Sequence, residues 1–291
     1  MKMSPARKAY VIFNYAFCFL IGLLCLLPVW HVLVTSFSGK NAIMSGKVTL
    51  WPVDFTFDNY TYVMKDYQFF SAFWISIKRT VLALVVQMFL TVLAAYPLSI
   101  SKRKFAARQI YAWIYMFTMI FSGGMIPTYM VVSKTGLINS IWALILPGAI
   151  PVFNVILLQN YIKTLPEALS ESAALDGAGH WRTLFQIILP LCAPSLATLC
   201  LFVAVNNWNA WFDGMLYIND NLKFPLQTYL RTLIVEVNMN QISDAEDLAQ
   251  MVATAGADTA KIFIAMVPIL CVYPFVQKHF VKGIVRGSVK E

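Results

Sequence analysis

Charge is what this chain lacks most. Only 12% of its 291 residues are Asp, Glu, Lys or Arg, against about 25% in an ordinary soluble domain. Histidine is scarce as well, and His31, His180 and His279 show no metal-ligand spacing, so no metal site is expected. The five cysteines are an odd number and all lie in apolar runs, which argues against a disulfide framework and for small buried hydrophobes. No G-x-x-x-x-G-K-[ST] segment occurs; the Gly-Lys pairs at 39–40 and 46–47 are followed by Asn41 and Val48. A phosphate cradle of that kind is therefore absent. No Ser/His/Asp or Cys/His constellation can be assembled, which speaks against catalysis by this chain.

What the chain has in excess is apolar surface. Hydrophobic residues make up 59%, well above the roughly 45–50% of soluble domains. That excess excludes disorder, a nucleic-acid partner and a small secreted scaffold, and requires a lipid bilayer as solvent. A helix needs about 20 apolar residues to cross the hydrocarbon core, with its backbone groups satisfied internally. Five uncharged runs are long enough, and a sixth, Ile262–Gln277, is flanked by Lys261 and Lys278, whose stems can snorkel to the interface. The expected fold is all-α and polytopic, a single transmembrane domain over 1–291. Its spans fall at about 9–36, 78–100, 109–128, 139–162, 187–212 and 261–280. The basic run before the first span resembles a signal peptide, but the apolar stretch is too long for one and no cleavage site follows.

Orientation follows from the basic residues. With the amino terminus inside, the inner segments carry 13 Lys and Arg against four acids, and the outer segments and span ends carry 9 against 10. Inside is +9 and outside −1, which sums to the net +8. Both termini are expected in the cytoplasm, with external loops at 37–77 and 213–260. Loops of that length are usually functional, and Phe224–Glu236 has the spacing of a short amphipathic helix.

The inner loop 163–186 is the most structured connection. Thr164 and Glu167 read as a capping box around a first-turn Pro166. Helix formers then run to Leu175, before Asp176-Gly177 offers a left-handed cap. A second helical pattern follows from Trp181 to Leu189. This predicts a helix, a tight turn and a helix, with small residues Ser172, Ala173, Ala174, Gly177 and Ala178 around Glu171, a surface that another protein can approach closely.

The string Glu171-Ser-Ala-Ala-Leu-Asp176-Gly177-Ala, continuing to Ile187-Ile-Leu-Pro190, resembles the EAA loop of ABC importer permeases of the carbohydrate-uptake, maltose-type family. The segments Phe121–Pro127, Trp208–Gly214 and Val281–Lys290 extend that likeness towards permeases for complex, alginate- or pectin-type oligosaccharides. Ser172 departs from the family's usual Ala, but it is small and helix-compatible. The resemblance implies a type I importer architecture in a bacterial cytoplasmic (inner) membrane. It implies four partners beyond the lipid: a second permease subunit, a cytoplasmic ATPase dimer, an extracytoplasmic sugar-binding protein and the sugar. ATP and Mg would be bound by the ATPase, with no cofactor in this chain. Glu171, Ser172, Ala173, Asp176, Gly177 and Ala178 would couple to the ATPase, and Gly283, Gly287 and Ser288 of the tail would reach towards it.

For the sugar path the candidates are polar or aromatic residues inside spans: Gln87, Asn154, Asn206, Asn207, Trp208, Asn209 and Trp211. Amides that glue helices together are the competing reading. Lys78 and Arg79 read as snorkelling side chains, or as an attraction for an anionic uronate. Pro97, Pro147, Pro151, Pro190 and Pro268 are expected to kink or break helices. A stand-alone secondary carrier and a membrane-embedded transferase remain as alternatives, although the absence of acids from the span interiors counts against both.

Overall fold

A computed structural model describes residues 4–101, 104–239 and 254–272 of the chain. Among these, helices and their connections account for everything and no strand occurs. The reason is solvent: lipid offers no hydrogen bonds, so the backbone must close its own within each segment. Three helices are individually long and apolar enough to cross a membrane, Arg7–Ser36, Tyr67–Ser99 and Thr254–Val272, and three bent pairs meet the same test when each pair is taken together. The chain divides into two compact units, 1–70 with 230–268, and 71–229 with 269–291.

In the first unit, α1 (Pro5–Ser36) opens with Ser4 as cap and Pro5 in the first turn. At about 1.5 Å per residue it is longer than the hydrocarbon core, and from Tyr10 to Leu27 its large apolar side chains are almost all exposed. A helix apolar all round and bare on all sides is one that lipid or other helices cover. Cys18 and Cys25 lie on that exposed surface, which corrects the expectation that the cysteines are uniformly buried. After α1 the chain folds back through α2 (Lys40–Met44) and α3 (Asp58–Met64). Asn59 fastens this return: its buried side-chain amide donates to the carbonyls of Ser36 and Ser38, each at 3.0 Å. Trp30 donates its indole N–H to the Leu50 carbonyl at 2.9 Å, and Phe37, Phe55, Phe57 and Tyr60 pack ring on ring.

Lys261 was expected to snorkel at a helix end. Its helix starts seven residues earlier, at Thr254, so Lys261 falls about two turns into it. There it is 4% exposed, with Nζ 2.8 Å from Asp66 and 3.4 Å from Asp258. Once enclosed, an ammonium is held by carboxylates rather than by water.

The second unit contains most of the long helix α4 (Tyr67–Ser99). Its buried positions Ala72, Ser76, Arg79, Ala83, Gln87, Thr91 and Ala95 recur at helical spacing. These positions are small or polar, which is how helices associate where hydrophobicity gives no net drive; Phe69, Val92 and Leu98 are the larger apolar side chains that the same helix buries. Pro97 sits two residues from the end of α4 and does not break it. The breaks fall elsewhere. Helix α5 (Arg108–Ile120) turns through 111° into α6 (Met125–Lys134) at Phe121-Ser-Gly-Gly. Two 3₁₀ turns, Ile141–Leu144 and Leu146–Gly148, precede α7 (Val152–Lys163) across a 49° bend that holds Pro147 and Pro151. A short helix, α8 (Glu167–Leu175), follows, and then a helical run, His180–Leu191, bends by 83° into α9 (Ala193–Asn209). Pro190 and Pro194 remove successive amide donors there, and Thr183–Ile188 relaxes into wider π turns. Beyond α9 come α10 (Phe212–Tyr217) and α11 (Leu226–Met239), the latter close to the amphipathic helix expected at 224–236. Its Leu226 and Tyr229 are buried. The last described helix is α12 (Thr254–Val272).

Asp66→Ala should strip Lys261 of its nearer carboxylate. Asp258 remains as a second partner at 3.4 Å, so the expected cost is about 1.5–3 kcal/mol for a lost hydrogen bond to a charged group, read as an earlier thermal transition of the detergent-solubilised chain followed by tryptophan fluorescence. Asp220→Ala, which removes an exposed partner of Lys223, should shift it little, and equal shifts would contradict this account.

Candidate inner-face helix pair and outer clasp

The inner loop begins differently from its sequence pattern. Helix α8 starts at Glu167 with Pro166 before it and no side-chain cap. Thr164 instead donates its hydroxyl backward to the Tyr161 carbonyl at 2.7 Å. No capping box forms, because Thr164 is the last-turn neighbour of α7, whose orphan carbonyls are closer. The far end is as expected. Gly177 takes φ +75°, a conformation that a Cβ would strain. The Gly177 N–H donates to Ala174 O at 3.1 Å and the Ala178 N–H to Ala173 O at 2.9 Å. This paired closure is a Schellman motif, and it fixes the direction in which α8 leaves the body.

Within α8 the faces are sharply divided. Ala173 is 5% exposed, whereas Glu171 and Ser172 are exposed and Leu175 is 89% exposed. Glu171 and Leu175 are four residues apart and share a face. Ser172 turns its hydroxyl onto the Ala168 carbonyl, so its one proton stays within the helix. Asp176 is exposed beside the turn and Ala178 half-buried. An apolar and a charged side chain are thus presented together on the exposed face of α8. The second helix supplies rigidity: Leu184 and Ile188 belong to one core with Val92, Leu98, Val155, Leu158 and Leu199. Trp181 stacks on Phe185 with ring centroids 6.0 Å apart, and both rings remain exposed.

At the other end of α9 the predicted path residues separate. Asn207 is buried and donates to Gln87 Oε1 at 3.3 Å and to the Val203 carbonyl at 2.9 Å. Trp208 packs edge-on against Phe73, centroids 5.8 Å apart. Asn154 is also buried. Gln87, Asn154, Asn207 and Trp208 therefore lie inside the helix packing. Asn206, Asn209 and Trp211 are exposed, and the two amides, three residues apart, lie on one face. The tail residues Gly283, Gly287 and Ser288 lie outside the described residues.

The strongest polar contact was not foreseen. Arg79, expected to snorkel, is 2% exposed. Its guanidinium grips Asp213 through both terminal nitrogens and also donates to the Ala210 carbonyl at 3.3 Å. Snorkelling fails here because the segment after α9 folds over the side chain and substitutes a carboxylate for water. A further contact ties the same strip of α4 to the 210–228 segment, Leu226 N–H to Ser76 Oγ at 2.7 Å, and within that segment Thr228 Oγ1 donates to the Trp211 carbonyl at 2.8 Å. Gly214 lies against Thr228 and Pro225 so closely that a Cβ would collide with both. Burial, reinforced by the Asp213 charge, raises the pKa of the Tyr217 phenol above its ordinary value. Opposite charges at the ends of two apolar runs, with a glycine after the acid, were the available signal. Spacing could not reveal that they meet, because 134 residues separate them. Among the described residues no group of His, Cys, Asp and Glu could hold a metal ion.

Residues 68–286 match the pattern of the family described as "binding-protein-dependent transport system inner membrane component". The polygalacturonan/rhamnogalacturonan transport system permease protein of Bacillus subtilis (strain 168) is 41% identical over 95% of this chain and 96% of its own length. An arabinooligosaccharides transport system permease protein of Halalkalibacterium halodurans is 26% identical, covering 99% of each chain. Among solved structures, a chain of a bacterial ABC transporter involved in the import of the acidic polysaccharide alginate superposes with TM-score 0.87 at 30% identity, over 96% of this chain and 99% of that one.

The clasp makes an asymmetric prediction. Arg79 cannot shed its proton, while Asp213 keeps some access to water, its side chain being 26% exposed. Asp213→Asn should therefore lower the thermal transition in detergent more than Arg79→Met, by about 3–5 kcal/mol. The opposite order would show that the guanidinium is not the costly partner.

Proposed function

The chain belongs to the family of binding-protein-dependent transport system inner membrane components, a non-catalytic permease of an ABC sugar importer, and from that premise we propose how it works. It crosses the inner membrane six times with both termini in the cytoplasm, each bent helix pair serving as one span. It forms the translocation path together with a second permease subunit. The 163–186 loop seats in a cytoplasmic ATPase, which holds ATP and Mg; this chain has no P-loop of its own. An extracytoplasmic binding protein delivers sugar to the external loops. The tail at Gly283, Gly287 and Ser288 reaches towards the ATPase.

The observation that carries this reading is the division of α8. Its exposed Glu171, Ser172 and Leu175 face away from a body to which the next helix is anchored by Leu184 and Ile188. A closing ATPase that grips α8 therefore moves a rigid lever rather than a loose loop. Glu171 accepts a charge-assisted hydrogen bond from the ATPase, Leu175 fills an apolar recess, and Gly177 aims the helix. Movement passes through the packed core to α4, α7 and α9 and alternates access to the path.

The substrate is an acidic oligosaccharide. Supporting this are the relative named for polygalacturonan and rhamnogalacturonan and the alginate importer of like fold. Asn206 and Asn209 form the sugar-facing edge on this half. Amides exposed on a membrane helix call for a wet surface, and a path shared with the second subunit supplies one.

The test is sugar-stimulated ATP hydrolysis by the complete importer in vesicles, with oligogalacturonate as substrate. Glu171→Ala should weaken ATPase attachment about tenfold or more, since a hydrogen bond to a charged group is worth about 1.5–3 kcal/mol, and stimulation should fall in parallel. Glu171→Gln, which keeps an acceptor, should lose less. Unchanged assembly, hydrolysis and uptake in Glu171→Ala would overturn the coupling assignment.

A further inference from the structure

Behind the exposed face of α8 lies a hollow for which docking to an ATPase has no use. It holds about 330 Å³ and is bounded by the end of α4, by Ser101 and Lys104 beyond it, by the end of α7 and by one side of α8. Tyr96, Ser101, Lys104, Lys163, Ser170 and His180 line it. Among the described residues, none of these six side chains has a hydrogen-bond or ion-pair partner. Glu167 is the one carboxylate in the lining. Arg108 lies near enough to repel the Lys163 ammonium, and its own guanidinium donates to the Ile100 carbonyl at 3.1 Å. The hollow thus presents donors in excess of acceptors and cations in excess of anions.

We propose that this hollow is a binding site for a phosphate ester on the cytoplasmic face, a site that rests on the inner placement of the 163–186 loop. Two ammonium groups and flanking hydroxyls suit a tetrahedral oxyanion. A neutral sugar would leave the two lysines with Glu167 as the one opposing charge in the lining. The ester comes either from the headgroup of an anionic lipid or from a soluble sugar phosphate. Because Ser170 belongs to α8 while Tyr96 and Lys163 belong to α4 and α7, a bound phosphate bridges the lever to the body and stiffens it.

The test uses the intact complex, purified in neutral detergent and examined by native mass spectrometry with no ATP or transported sugar present. The probes are phosphatidylglycerol and glucose 6-phosphate, with diacylglycerol as the uncharged control. One phosphate-bearing molecule per chain should be retained. Retention should fall roughly tenfold or more in a Lys104→Gln, Lys163→Gln double variant and persist when both lysines become Arg. Phosphatidylglycerol that glucose 6-phosphate cannot displace supports the headgroup as source, and displacement supports a soluble ester. Equal retention by the parent chain and the double Gln variant overturns the site. The placement is read separately, from a Ser170→Cys variant and an impermeant thiol reagent. Labelling above the parent's background only in inside-out vesicles supports the inner face. Labelling only in right-side-out vesicles overturns that placement, and with it the coupling role of the loop, whatever the binding result.

Discussion

Hydrocarbon cannot hydrogen-bond, and every feature of this protein follows from that constraint. It forces helices wherever the chain is apolar, and it dictates where those helices can stop. The 83° turn at Cys192 lies between Pro190 and Pro194, and the 111° turn at residues 121–124 contains a glycine pair. The same constraint governs charge. Lys261 and Arg79 are each almost completely enclosed, and each is closed by carboxylates: Asp66 and Asp258 for one, Asp213 for the other. Buried pairs of this kind add little net stability but are costly to break, so they specify which surfaces meet.

Where hydrophobicity gives no net drive between helices, association rests on close approach and polar contacts. The buried stripe of α4 uses both. Ala72, Ala83 and Ala95 permit approach, while Ser76, Arg79 and Gln87 reach Leu226, Asp213 and Asn207. One helix thereby fastens the end of α9 and the segment that follows it. The end of α4 near Leu98 shares its core with α7 and with the second helix of the 163–186 loop. Within this unit, one continuous element connects the clasp at Asp213 with the core on which the second helix of the 163–186 loop packs.

Much of this was legible beforehand. The apolar runs, the inner-loop helix up to Leu175 and the turn at Gly177 could all be read from composition and local pattern, because each depends on residues a few positions apart. The errors share one cause. Thr164 was paired with Glu167, but its hydroxyl found the nearer Tyr161 carbonyl. Lys261 and Arg79 were assigned to the lipid interface on the assumption that a charge beside an apolar run finds water. Neither residue's neighbours in sequence disclose the segment that folds over it. The amide-rich stretch Asn206–Asn209 looked like one cluster, yet its members divide between packing and an exposed face, as alternate sides of a helix must.

Sequence by itself determined the solvent of this protein, its helical class, its sidedness as an expectation from the basic residues, and the EAA-like loop. These rest on hydropathy, charge counts and local turn chemistry, which operate over a few residues to a few tens. Tertiary structure decided which polar residues are glue and which are exposed, that Arg79 holds Asp213, and that donors from α4, α7 and α8 line one hollow beside α8. Those outcomes depend on which helix faces meet, and in a chain whose helices are apolar on nearly every side, hydrophobic pattern alone does not mark the face that will be covered.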